Sequence, residues 1–237
     1  MKENDVASSP GPIKSMPARI FLGTVTVALF IWLFFLLAGR FDWIRGWAYI
    51  GLFTCGQSLS SLYIWRRDPE VMRRRGKIGE GTKTWDKVVL GLFGTAYLAV
   101  IVIAALDERY TWSTMSEWFW PLGAALYAFC VFILTWSISV NTHFEKTVRI
   151  QHDREHQVID SGPYRIVRHP GYLGTIFGFA LDAPLLLGSW WAFIPAAIAV
   201  ASLVLRTALE DRTLRKELDG YEAYTQTVRY RLVPGVW

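Results

Sequence analysis

The stretch that decides the fold is residues 162–174, Gly-Pro-Tyr-Arg-Ile-Val-Arg-His-Pro-Gly-Tyr-Leu-Gly. It closes a polar segment, 141–171, that holds all four histidines of the chain, and it opens a long apolar run. Pro170 suits the first turn of a helix, where its missing N–H is not needed. The sequence therefore predicts that a helix begins at Pro170. Gly174 and Gly178 follow at the Gly-x-x-x-Gly spacing that allows two helices to pack closely.

Apolar runs dominate the chain on both sides of this stretch. Of its 237 residues, 52% are hydrophobic and only 19% are charged. A membrane-spanning helix needs about 20 mostly apolar residues. The candidate spans are 19–39, 43–65, 87–106, 118–140, 172–187 and 189–208. The fifth is short and contains Asp182 and Pro184, so it is a half-span, a kinked helix or one arm of a hairpin. We expect an all-α polytopic membrane bundle with five or six spans.

The charged residues between the spans predict how the chain crosses the membrane. Loop 66–87 carries eight Lys or Arg against four acidic residues, whereas loop 107–117 carries one Arg and three acidic residues. The positive-inside rule therefore places loop 66–87 in the cytoplasm, together with both termini and residues 141–171. The rule also explains the net charge of +5, so we expect membrane lipids as neighbours and no nucleic acid as a partner.

The first half of the chain offers few chemical signals. Residues 1–17 are polar and are expected to form a disordered cytoplasmic tail, and residues 18–140 a four-span scaffold. Residues 19–39 are longer than the apolar core of a cleaved signal peptide, so we interpret them as a retained span. Cys55 and Cys130 both fall in spans, which predicts two small core residues and no disulfide framework.

The polar segment allows a metal hypothesis and a structural one. His152, Glu155 and His156 match the H-x-x-E-H pattern of inverted zinc peptidases. No motif supplies a third protein ligand, so we assign no metal ligand, and zinc hydrolysis stays an alternative. In the structural interpretation, Arg206 and Glu210 form an intrahelical ion pair one turn apart on the last span. The chain would then be a membrane scaffold without catalysis.

The ordered set of motifs from Asn141 to Trp237 resembles the isoprenylcysteine carboxyl methyltransferase and phospholipid methyltransferase superfamily. The resemblance covers about two-fifths of the chain, and it rests on the whole set rather than on any single motif. The matching elements are Gln151, His156-Gln-Val-Ile159, Ser161-Gly-Pro-Tyr164, Arg168-His-Pro-Gly-Tyr-Leu-Gly174, Arg206-x-x-x-Glu210, Gly220-Tyr-x-x-Tyr224 and the ending Arg-Leu-Val-Pro-Gly.

The resemblance implies an integral membrane enzyme that uses S-adenosylmethionine, with residues 141–237 as its cofactor-binding region. It implies that Arg206 orients the methyl acceptor, bidentately if the acceptor is a carboxylate. Glu210 would bind the cationic end of the cofactor or fix Arg206, and both residues are the candidate catalytic pair. The remaining residues implied to line the cofactor pocket are Gln151, His156, Gln157, Val158, Ile159, Tyr164, His169, Pro170, Gly171 and Tyr172.

The resemblance leaves the methyl acceptor open. A lipophilic acceptor resembling a prenylated cysteine carboxylate is the nearest analogue, and a phospholipid amine or a small thiol are rivals because acceptor pockets change while folds persist. A carboxylate is already ionised at pH 7 and needs no base. A thiol or an amine would need deprotonation, for which Glu210 or His169 are the candidates.

Overall fold

The computed structural model describes residues 16–75, 81–149 and 156–237. These parts of the chain are helical and contain no strand. The α-helices are α1 (Met16–Ala38), α2 (Ile44–Arg67), α3 (Pro69–Arg75), α4 (Thr84–Tyr110), α5 (Phe119–Val140), α6 (Pro170–Thr175), α7 (Asp182–Leu187), α8 (Phe193–Glu217) and α9 (Tyr221–Thr227). A 3₁₀ turn, Gly162–Arg165, precedes α6, and a π-helical segment, Ile176–Leu181, joins α6 to α7.

Five helical stretches are long and apolar enough to cross a membrane: Ile20–Ala38, Thr84–Tyr110, Phe119–Val140, Pro170–Leu187 and Phe193–Glu217. They confirm the expected all-α polytopic fold and indicate an integral membrane protein. Helix α2, predicted as a span, is not among the five because glycine, serine and glutamine interrupt its apolar residues. It nevertheless reaches both ends of the bundle. Arg45 at its start lies 3.4 Å from the carbonyl oxygen of Leu185, and Ile64 near its end packs with Ile138.

The core forms where α4 packs along α8 and α5 packs along the hairpin arm made of α6, the π segment and α7. Small residues allow this close approach. A Cβ atom added to Gly178 would lie only 1.8 Å from the Cβ of Cys130, and one added to Gly174 would lie 2.5 Å from Ile133 Cγ2. The packing role predicted for the two glycines is thus confirmed, as is the start of the helix at Pro170. The fifth apolar segment is one helical arm of a hairpin.

Two further details differ from the sequence predictions. Cys130 is buried, but Cys55 is exposed on the outer surface of α2, so only one cysteine is a core residue. The hydropathy of residues 43–65 did not reveal which face of the helix meets the bundle. The last long helix begins at Phe193 rather than near residue 189. The reason is a turn at Ser189, whose hydroxyl donates to Asp107 at 2.5 Å and accepts from the Ala192 N–H at 3.2 Å.

The long helices alternate in direction, so their connections gather at two opposite ends of the bundle. At one end Arg40 pairs with Glu108 at 3.3 Å. At the other end Lys83 pairs with Glu217 at 2.7 Å, and residues 141–149, 156–169 and 218–237 lie nearby. We call this second end the motif face, because it carries every described motif of the sequence analysis. Its orientation toward the cytoplasm stays a prediction.

Candidate functional site

The motif face contains a cavity of about 430 Å³, which we call the motif cavity. This volume falls within the range of about 300–1,000 Å³ that is usual for small-molecule and cofactor sites. The predicted site residues that line it are His156, Gln157, Val158, Ile159, Tyr164, His169, Gly171, Tyr172, Arg206 and Glu210. Pro170 is buried and is not among the lining residues, and Gln151 lies outside the described residues. The ordered motifs thus converge on one cavity.

Tyr172 connects the hairpin arm to α8 inside the cavity. Its hydroxyl donates a hydrogen bond to Glu210 Oε2, and its ring lies against Arg206, with the guanidinium carbon 4.9 Å from the ring centroid. Arg206 and Glu210 occupy one face of α8 because they are four residues apart. They do not pair with each other among the described contacts, because each has a partner on another helix. The intrahelical ion pair of the structural interpretation is therefore wrong.

Arg206 is instead bound to Asp86 at the start of α4. Its Nε donates to Asp86 Oδ1 at 2.7 Å and its Nη2 donates to Oδ2 at 3.2 Å, so the pair is bidentate. Nη2 also donates to the carbonyl oxygen of Lys146 at 2.6 Å. Asp86 is 0% exposed and Arg206 is 6% exposed. Removing one partner of such a buried pair costs about 3–5 kcal/mol, since the remaining charge is left without compensation.

Asp86 is a site residue that the sequence reasoning missed. A signal was present, because an acidic residue at the start of an apolar span needs a buried partner. Asp86 also orders the cavity rim, since its Oδ2 accepts from the Val148 N–H at 2.8 Å, and the Val148 carbonyl accepts from the Lys83 N–H at 3.1 Å. Through these bonds, residues 146–148 are held against α4. Segment 141–149, in which the sequence analysis assigned no individual site residue, supplies eight of its nine residues to the lining.

A second buried carboxylate, Asp211, binds side chains that line the motif cavity. Arg168 Nε and Nη2 donate to its two oxygens at 2.7 and 3.2 Å, and Arg231 Nε donates to Oδ2 at 2.9 Å. The Tyr221 hydroxyl donates to Oδ1 at 3.2 Å, and His169 Nε2 lies 3.5 Å from the same oxygen. Asp211 was not predicted from the sequence, because its partners come from segments far from it in the chain. We call these five side chains the Asp211 cluster.

The C-terminal segment is anchored to the motif through its backbone. The N–H groups of Arg168 and His169 each donate at 2.9 Å to carbonyl oxygens of Tyr230 and Arg231. Arg168 also donates from Nη1 to the carbonyl oxygens of Val228 and Arg229. These bonds explain how an ending such as Arg-Leu-Val-Pro-Gly can belong to the same site as a motif sixty residues earlier.

Three tyrosines give the cavity an aromatic surface: Tyr164, Tyr221 and Tyr224. The Tyr224 hydroxyl donates to the Tyr164 carbonyl at 2.6 Å, and Asn141 Nδ2 donates to the Tyr164 hydroxyl at 3.0 Å. Burial raises the pKa of all three tyrosines, so their hydroxyls stay protonated at neutral pH. The motif Ser161–Tyr164 forms a turn: Gly162 has a φ of +57°, and the 3₁₀ turn begins there.

The other end of the motif cavity is apolar and extends toward the helices of the bundle. Its side chains come from α4, α5 and the hairpin arm, and they are Leu90, Phe93, Leu134 and Phe179. Leu90 follows Asp86 by one helical turn, so the apolar end begins beside Arg206. The sequence did not predict these residues, because nothing local distinguishes them from other apolar residues of a span. The cavity thus joins a polar, aromatic end to an apolar end.

A metal centre finds no support in the parts of the chain that the structure describes. Within them, no group of three His, Cys, Asp or Glu side chains is close enough to hold a metal ion. His152 and Glu155 of the H-x-x-E-H pattern lie outside the described residues. His156 lies in the cavity lining with its ring 4.6 Å from that of His143.

The isoprenylcysteine carboxyl methyltransferase (ICMT) family model matches residues 124–216, from the second turn of α5 to the last turn of α8. This range contains Tyr172, Arg206, Glu210 and Asp211, and it leaves Asp86, α9 and the C-terminal segment outside. A comparison with curated proteins gave no match.

Proposed function

We propose a function from the family match: the model that matches residues 124–216 supports membership in an isoprenylcysteine carboxyl methyltransferase-like family. The family implies a membrane methyltransferase. We propose that the chain transfers a methyl group from S-adenosylmethionine to a lipophilic acceptor at the cytoplasmic side of the membrane. The single observation that carries this proposal is the motif cavity, which collects the family motifs at a polar end and opens to an apolar end.

The polar end of the cavity fits the chemistry of S-adenosylmethionine, which supplies a methyl group on an electrophilic sulfonium. Tyr164, Tyr221 and Tyr224 offer aromatic faces suited to the adenine ring. Glu210 offers a carboxylate oxygen for the cationic part of the cofactor. Residues 156–159 supply backbone groups and a Gln side chain that can hydrogen-bond to its polar edges.

The apolar end suits the acceptor. A water-soluble cofactor enters from the aqueous side, whereas a lipophilic acceptor enters from the bilayer and places its chain among Leu90, Phe93, Leu134 and Phe179. Arg206 lies between the two ends. Methyl transfer is an in-line displacement, so the main contribution of the protein is to hold the two reactants in line and apart from water. Tyr172 holds Glu210 in place, and Asp86 holds Arg206 in place, for this positioning of the reactants.

The proposal is tested by methyl transfer in proteoliposomes. We expect radiolabelled S-adenosylmethionine to label a lipid-soluble product, and Glu210→Gln to reduce the labelling at least tenfold, or about 1.4 kcal/mol in the barrier. Glu217→Gln is the matched control, because Glu217 lies on the same helix, pairs with Lys83 and does not line the cavity. Equal labelling by wild type and the Glu210 variant would refute the role of Glu210. The absence of any labelled product across a set of lipophilic acceptors would refute the function.

A further inference from the structure

The environment of Arg206 narrows the class of acceptor. A guanidinium has two edges that can form a two-point bond with a carboxylate, and the edge made of Nε and Nη2 is already bound to Asp86, at 2.7 and 3.2 Å. The other edge needs the second N–H of Nη2, which is bound to the Lys146 carbonyl. Among the described contacts, only Nη1 has no hydrogen bond. An acceptor carboxylate would therefore find one nitrogen rather than a two-point partner.

The balance of charges around Arg206 also disfavours a carboxylate acceptor. Among the side chains around Tyr172, Asp86 neutralises Arg206, and Glu210, four residues along the helix, leaves one negative charge. Of the other charged lining residues, Glu145 pairs with Arg149, Arg168 pairs with Asp211, and Lys146 is exposed to solvent, which screens its charge. S-adenosylmethionine carries one net positive charge, which balances Glu210. A carboxylate acceptor would add an uncompensated negative charge beside an apolar cavity end, and such a charge is costly where water is scarce. An ammonium acceptor would add an uncompensated positive charge. An uncharged acceptor keeps the balance.

We propose that Asp86 makes the site selective for an uncharged lipophilic thiol over a carboxylate, by occupying the carboxylate-binding side of Arg206. This inference rests on the proposed methyl transfer and deepens it. Among uncharged nucleophiles, a thiol is the most suitable, since its ordinary pKa of about 8.5 is far below that of an alcohol and its sulfur is strongly nucleophilic. Asp86 acts through Arg206 and is a positioning residue.

The step balances in atoms and charge. The thiol proton goes to Glu210, whose second oxygen is not engaged by Tyr172. A sulfur electron pair forms the new bond to the methyl carbon, while the carbon–sulfur bond of the cofactor breaks and leaves its electron pair on the cofactor sulfur. The sulfonium becomes an uncharged thioether, Glu210 becomes an uncharged acid, and the acceptor becomes a methyl thioether. The summed charge of Arg206, Asp86, Glu210, the cofactor and the acceptor is zero before and after the step.

The experiment offers the full chain in liposomes an equimolar mixture of dodecanethiol and dodecanoate with radiolabelled S-adenosylmethionine. The two acceptors share one apolar chain, so they differ in the reacting group alone. The products are separated by treatment with base, which releases methanol from the methyl ester and leaves the thioether intact. We expect wild type to form at least tenfold more thioether than ester. We expect Asp86→Asn to lower this ratio at least tenfold, because Arg206 then attracts the carboxylate.

The matched control is Asp107→Asn. Asp107 lies on the same helix and is also buried, but its carboxylate binds Ser113 and Ser189 at the opposite end of the bundle. The product ratio should stay at the wild-type value in this variant. A ratio is insensitive to the fraction of folded protein, because both products come from the same molecules.

Each other outcome contradicts a defined claim. More ester than thioether with wild type overturns the inference, and so does an unchanged ratio in a folded Asp86→Asn protein. If that variant does not fold, the wild-type ratio alone decides, and Glu210→Gln should lower thioether formation more than ester formation. If the cofactor binds but no thioether forms, the inference that the acceptor is a thiol is refuted, whereas the proposed function is not. Absence of cofactor binding refutes the proposed function itself.

Discussion

Replacement of Asp211 by asparagine is expected to destabilise the protein strongly. The side chain is 0% exposed and accepts hydrogen bonds from Arg168, Arg231 and Tyr221. Asparagine keeps the shape of the side chain but removes its charge. The NH₂ group of asparagine would face a guanidinium, which cannot accept a hydrogen bond. The loss of one partner from a buried ionic cluster costs about 3–5 kcal/mol. The same change should loosen the C-terminal segment, because Arg168 also holds its carbonyl oxygens.

The assay is thermal unfolding of the purified protein in detergent, followed by tryptophan fluorescence. For a chain of this size, about 2–4 °C of midpoint shift corresponds to each kcal/mol, so the midpoint should fall by about 6–20 °C. Asp219→Asn is the matched control, because Asp219 is exposed and lies near the end of the same helix. A surface change of this kind stays within about 0.5 kcal/mol. If Asp211→Asn unfolds at the same temperature as this control, the Asp211 cluster does not hold the motif face together.

Three further predictions concern packing and tyrosine chemistry. Gly178→Ala should lower the free energy of unfolding by about 1–3 kcal/mol, because the new Cβ would lie 1.8 Å from Cys130 Cβ. The control Gly51→Ala has no neighbour within 4 Å of its new Cβ and should raise the free energy of unfolding by about 0.5–1 kcal/mol. Equal effects of the two substitutions would contradict the close packing at Gly178. Tyr224→Phe should cost about 1 kcal/mol, since the Tyr164 carbonyl loses its donor, and an unchanged melting midpoint would count against that bond. Burial raises the pKa of Tyr164 and Tyr224, so these tyrosines ionise at a lower pH in the unfolded chain than in the folded protein. The free energy of unfolding should therefore be constant below about pH 10 and fall above it, and the fall should be less steep in Tyr224→Phe. A free energy of unfolding that does not change at alkaline pH would disprove this.

The sequence predicted the features that depend on local signals. Hydropathy located the five candidate spans, Pro170 marked the start of the hairpin arm, and the glycine spacing indicated its contact with α5. The resemblance also identified residues that the structure brings to one cavity, such as Tyr172 and Glu210. These successes share a cause, because each rests on residues that are neighbours in the chain or belong to an ordered motif set.

The features that were missed depend on contacts between distant segments. The pair of Arg206 with Asp86 joins residues 120 positions apart, and no spacing rule links them. The role of Asp211 was hidden because its partners lie on three different segments. Cys55 was placed in the core because an apolar span shows no clear difference between its inner and outer faces. In each case the tertiary fold, rather than the local pattern, decides the environment of the residue.

We propose that the motif cavity holds S-adenosylmethionine. Isothermal titration calorimetry of the purified full chain in detergent with this cofactor tests that binding most directly. Circular dichroism first verifies that the protein is helical. We predict saturable binding of one cofactor per chain, weakened at least tenfold by Glu210→Gln and unchanged by Glu217→Gln. Folded protein that gives no binding heat at any temperature tested, or that binds equally after the Glu210 change, would contradict the account.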